Sequence, residues 1–155
     1  MDEIRLADFL IHLDPGPVPV GRLESGLTRL IGAETQELLL SDYTRTKQHF
    51  RHKEVGFEEY RKIPLVLREG FIVREGEHRR SSLIFCFDSG VGKRCYKLSI
   101  KATRNGAELY VLSFHPIWPR EMQRIYRRAI LRRGGALIRG HKNKWRNPKI
   151  PPNVT

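Results

Sequence analysis

From Gly70 onward the apolar residues switch from helical spacing to strict alternation, and this run of period two constrains the fold more than any other feature. Four segments carry it: Phe71 to Glu75, Ser82 to Asp88, Arg94 to Thr103 and Glu108 to His115. Their connections hold Gly76, then Gly90 and Gly92, then Asn105-Gly106. Asn-Gly marks a tight hairpin because both central residues of such a turn need positive φ. The expectation is a four-stranded antiparallel meander.

Helical spacing frames that sheet. Ile4, Leu6, Ala7, Leu10 and Ile11 predict a helix over Asp2 to His12, ended by Asp14-Pro15-Gly16-Pro17. An extended stretch at Val18 to Val20 and a strand at Glu37 to Leu40 follow. Ser41 and Asp42 are good N-caps for a helix over Tyr43 to Arg51. A second helical piece is expected at Phe57 to Arg61, with Pro64 stiffening what comes after. A last helix runs from Pro119 to about Arg132 and stops at Gly134-Gly135. The predicted fold class is therefore α+β, the meander packed against N-terminal helices, with a C-terminal helix and a basic tail. Residues 1–133 read as one domain and 134–155 as the tail.

Charge narrows the function. Lys and Arg number 29 against 17 Asp and Glu, a formal +12. So large a surplus points to a polyanion, since each basic group set on a phosphate releases condensed counterions. No stretch approaches the roughly 20 apolar residues of a spanning helix, so no membrane partner is expected. Met1 to Asp14 opens on acidic residues with no basic run leading into an apolar one, which predicts a cytoplasmic protein. Cys86 and Cys95 read as buried thiols, and the expected alternation places them on opposite faces. No HExxH, CxxC or phosphate loop is present and the acids are scattered, so neither a metal nor another cofactor is expected.

The residue faces locate the chemistry. Along Arg94 to Thr103, Tyr96, Leu98, Ile100 and Ala102 fall on one face and Lys97, Ser99, Lys101 and Thr103 on the other. Plain alternation in the next strand groups Leu109, Val111, Ser113 and His115. The Asn105-Gly106 hairpin would bring Ser113 or His115 near Lys101 or Thr103; an ordinary solvent-facing half-sheet is the plain alternative. His49 and His52 close the basic helix that holds Lys47, and imidazole is suited to move protons near neutral pH. Arg124, Arg127, Arg128, Arg139, Lys142 and Lys144, interleaved with Tyr126 and Trp145, form a docking stretch able to track phosphates and stack on bases.

The order of these residues resembles a family. Leu40-Ser41-Asp42-Tyr43-Thr44-Arg45-Thr46-Lys47 to His52, then Tyr60 with Ile63-Pro64, an apolar strand, Tyr96 to Thr103 and Leu112-Ser113-Phe114 are similar to the phage-associated nucleases of the barnase, EndoU, colicin and RelE-like superfamily. The likeness spans roughly Leu38 to His115, about half the chain. It implies metal-independent RNA cleavage, in which a ribose 2′-hydroxyl attacks phosphorus and leaves a 2′,3′-cyclic phosphate. It assigns His52 as general acid or base, Lys101 to transition-state charge, Thr103 and Ser113 to phosphate oxygens, Lys47 as a second cation and His115 to the other proton transfer. It also implies a phage or polymorphic-toxin setting in a bacterial cytoplasm, and an acidic immunity or antitoxin protein would suit so basic a chain. A non-catalytic nucleic-acid-binding or virion protein is the alternative from a different class, and a metal-dependent DNase a third.

Overall fold

A computed structural model describes residues 1–74, 81–90, 94–131 and 137–140. Helix α1 (Glu3–Ile11) starts where the Asp2 carboxylate accepts the Arg5 amide, and it turns Leu6 and Phe9 inward. Strand β1 (Val18–Arg22) leads to α2 (Ser25–Ile31), which closes on Gly32 at φ 72° before β2 (Glu37–Leu40). Ser41 caps α3 (Asp42–Arg51) by accepting the Thr44 amide. Two short helices, α4 (Phe57–Tyr60) and α5 (Ile63–Glu69), precede β3 (Phe71–Val73). Pro64 sits in the first turn of α5, where its fixed φ suits a helix and its missing amide costs nothing. Strands β4 (Ser82–Asp88), β5 (Cys95–Ala102) and β6 (Leu109–Ile117) then run in succession to α6 (Pro119–Leu131) and β7 (Leu137–Arg139).

The four-stranded meander expected from the sequence is overturned by a seven-stranded mixed sheet of order β1-β2-β6-β5-β4-β3-β7. Strands β3 to β6 are antiparallel neighbours, but the sheet continues past both ends of that run. On one side β2 pairs parallel with β6, and β1 pairs antiparallel with β2. On the other, β7 pairs antiparallel with β3. The sequence marks Val18 to Val20 and Glu37 to Leu40 as extended, but not their place in the sheet, and it gives no sign of β7. The strands concerned are three to five residues long, too short for a periodic signal. The parallel pairing of Leu38 with Leu109 joins segments no turn connects.

Both sheet faces are covered, unequally. The main core packs Leu6, Phe9, Ile63 and Val66 from the helices onto Phe85, Tyr96, Leu98, Ile100, Val111 and Phe114. The opposite face carries a smaller core, in which Met122 and Ala129 of α6 meet Phe71, Ile84, Cys86, Cys95 and Ile117. Cys86 and Cys95 therefore share a face, contrary to the alternation expected. Asp88 pairs with Cys95 and Lys97 with Cys86, which sets the two thiols diagonally on adjacent strands. Burial pushes both thiols up, Cys95 to about 12, so neither is poised as a nucleophile. Beyond this small core, the same side of β5 and β6 leaves Lys97, Ser99, Ser113 and His115 half-buried and Lys101 exposed.

Candidate active site

Strand β6 has a partner strand on one side only for part of its length. Its pairing with β2 covers Leu109 and Tyr110, and past that point the backbone edge faces α3. Buried peptide groups must find partners, and side chains at helical spacing supply them. Thr44 Oγ1 donates to the Val111 carbonyl at 3.1 Å, and Lys47 Nζ to the Leu112 carbonyl at 2.7 Å. Gln48 bonds Phe114 twice: its Nε2 donates to the carbonyl and its Oε1 accepts the amide at 3.3 Å. The Gln48 amide thus replaces a peptide of a neighbouring strand.

This grip falls on a β-bulge. Ile100 pairs with Val111 but Ser99 pairs with Ser113, so Leu112 is an extra residue in β6. An extra residue reverses which face the following side chains occupy. Leu109 and Val111 enter the main core, while Ser113 and His115 emerge on the opposite face beside Ser99 and Lys97. Plain alternation had kept all four β6 residues together; the bulge separates them.

His115 lies across from Lys97 in the β5–β6 ladder. His52, at the C-cap of α3, stacks its ring on His115 with centroids 4.2 Å apart and planes within 8°. Each ring has one nitrogen committed. Nδ1 of His115 is 3.0 Å from the Pro116 carbonyl, and since a carbonyl only accepts, that nitrogen carries the proton. Nδ1 of His52 faces the Glu54 carboxylate at 3.6 Å. The Nε2 atoms are the ones these contacts leave for a substrate. Burial lowers the His115 pKa, and the nearby His52 and Lys97 push the same way against the opposing Pro116 bond and Glu121 charge. His115 is therefore held neutral, with its Nε2 lone pair able to take a proton.

The sequence-derived candidates divide accordingly. His52, His115 and Ser113 come together. Lys101 shares their face but lies opposite Tyr110, four residues from Lys97 and so roughly 13 Å along the strand. Thr103 lies past the end of β5, its hydroxyl engaged with Asn105 and Glu108 in the hairpin turn. Lys47 holds the bulge carbonyl. His49 is exposed, its ring edge against Phe50. Arg124, Arg127 and Arg128 are exposed along α6, whereas Arg139 is drawn in to bond the Leu67 and Gly70 carbonyls at the end of α5. Lys142, Lys144 and Trp145 lie outside the described residues. Lys97 was seen on the polar face but not singled out, and a hairpin register counted from Asn105-Gly106 with one bulge would have found it.

Compared with family models, curated proteins and solved structures, the chain matches none. Among the described residues no three His, Cys, Asp or Glu side chains gather at a place where they could share a metal ion. No described helix is long and apolar enough to cross a membrane.

Proposed function

We propose that this chain is a metal-independent endoribonuclease in which His115, His52 and Lys97 act on one phosphodiester. The observation that carries the reading is the stacked imidazole pair set against a cross-strand ammonium on a half-open sheet face. The chemistry requires a base for the 2′-hydroxyl, an acid for the departing 5′-oxygen and fixed positive charge at phosphorus.

His115, kept neutral by burial, takes the 2′-hydroxyl proton on Nε2. The freed oxygen attacks phosphorus, and the bond to the 5′-oxygen breaks as protonated His52 gives that oxygen a proton. A 2′,3′-cyclic phosphate and a 5′-hydroxyl result. Lys97 balances charge on the phosphorane, and the hydroxyls of Ser99 and Ser113, paired on the floor between the strands, donate to its oxygens. The rings are too close for a phosphate to enter between them, so the substrate binds at the edge of the stack.

The net charge of +12 favours a polyanionic substrate such as RNA, and an acidic immunity protein would fit the same face. Resemblance to the phage-associated nuclease superfamily supports this reading and suggests a phage or toxin setting. Incubation of the purified protein with RNA in EDTA tests it. Cleavage to cyclic-phosphate ends is expected, and His52→Ala and His115→Ala each reduce the rate by about 100-fold or more. Intact RNA, or cleavage indifferent to both substitutions, would remove the catalytic claim. A protein that only binds would show steeply salt-dependent retention of uncut RNA.

A further inference from the structure

Trp118 is 79% exposed, the most exposed of the large apolar side chains among the described residues. It stands between the end of β6 and the start of α6, three residues past His115 and so roughly 10 Å along the chain. An indole left in water gains nothing for the fold, and its position beside a cationic face invites another account. A groove of about 860 Å³ opens against it, within the size of ligand pockets at roughly 300–1,000 Å³. Its walls include Trp118, Arg120, Glu121, Arg124 and Arg127.

The three arginines recur at helical spacing on the exposed side of α6, while Met122, Ile125 and Ala129 face the small core. Among the described residues no ion pair engages Arg120, Arg124 or Arg127. Glu121 links the groove to the imidazoles, since it both lines the groove and acts electrostatically on His115. Trp118, on the groove, follows His115 by three residues, which sets the groove near the imidazole pair.

We propose that Trp118 is a stacking platform for an unpaired base next to the scissile nucleotide, and that it makes the site selective for single-stranded RNA. The proposal rests on the nuclease reading of the histidine pair and adds its substrate class. A flat aromatic face beside guanidinium groups suits a base with its phosphates, because every base offers a π-face and arginine binds phosphate in a fork. In a duplex those base faces are already stacked and unreachable.

The experiment separates this claim from the catalytic one by using an RNA that blocks 2′-hydroxyl attack. The chain has two tryptophans, so the emission of Trp118 is read as the difference between the wild type and Trp118→Phe. That emission is followed while a 2′-O-methyl oligonucleotide is added, single-stranded or annealed to its complement. Quenching by the single strand is expected, with binding at least about 10-fold tighter than for the duplex. Followed by fluorescence anisotropy of a labelled oligonucleotide, Trp118→Ala should weaken binding by about 5- to 100-fold, the usual worth of one stacked base. Trp118→Phe should restore most of it, which a role in folding alone would not explain. Equal affinity for the duplex, or no change in Trp118→Ala, overturns the subsite whether or not the wild type cleaves RNA. A polyglutamate peptide that binds Trp118 more tightly than the oligonucleotide would assign the patch to an acidic protein and also overturn it. Quenching without any RNA turnover would instead keep the subsite and reject only the nuclease.

Discussion

Replacing Gln48 with leucine removes the side chain that stands in for a missing strand. Gln48 is 2% exposed and Phe114 fully buried, so no water replaces the lost partners. The variant strands one amide and one carbonyl of Phe114, each costing about 1–3 kcal/mol when buried without a partner. Leucine fills a similar volume, so little cavity term adds to this. The expected loss is on the order of 3 kcal/mol, a large share of the roughly 5–15 kcal/mol typical of a domain. For a chain of this size that is a fall in Tm of about 6–12 °C. Urea unfolding of both proteins measures it, with the m-value expected to stay the same. A difference under about 0.5 kcal/mol, the range of an ordinary surface change, would refute the view that α3 completes the β6 edge.

Three further outcomes follow from the same geometry. Lys97→Met should lower RNA cleavage by about 100-fold, whereas Lys101→Met, four residues along the strand, should change it by less than about fivefold; steady-state rates on one RNA compare them. Because burial depresses the His115 pKa, the unfolded chain binds the proton more readily, so stability is full above about 6.5 and falls as pH drops through that value. Denaturation midpoints across pH 8 to 5 should show that slope in the wild type and a shallower one in His115→Gln. Gly106→Ala should cost about 2 kcal/mol or more, since Gly106 has φ +76° and a Cβ there would strike the Gly32 carbonyl; thermal melts read it.

Local elements were legible where local chemistry decides them. The helical spacing of Ile4 to Ile11, the Ser41 cap, the Asn105-Gly106 turn and the alternation from Phe71 to His115 identified α1, α3 and the four central strands. The edges were not legible, because Leu38 pairs with Leu109 and Ile72 with Arg139 through contacts that no neighbouring residues announce. Helix α5 was hidden behind Pro64, read as a stiffener although its place in a first turn favours a helix. In the site, residue types sufficed to propose His52, His115 and Ser113. The choice of ammonium depended on register: Lys101 stays opposite Tyr110 with or without the bulge, and the extra residue at Leu112 sets His115 opposite Lys97 rather than Tyr96.

That the two imidazoles work as one device is tested most directly by a double-mutant cycle on the cleavage rate. Groups that serve a single transition state are not additive, so the His52→Ala/His115→Ala protein should be little slower than either single variant. Losses that multiply would contradict a coupled pair and leave two histidines that happen to be stacked.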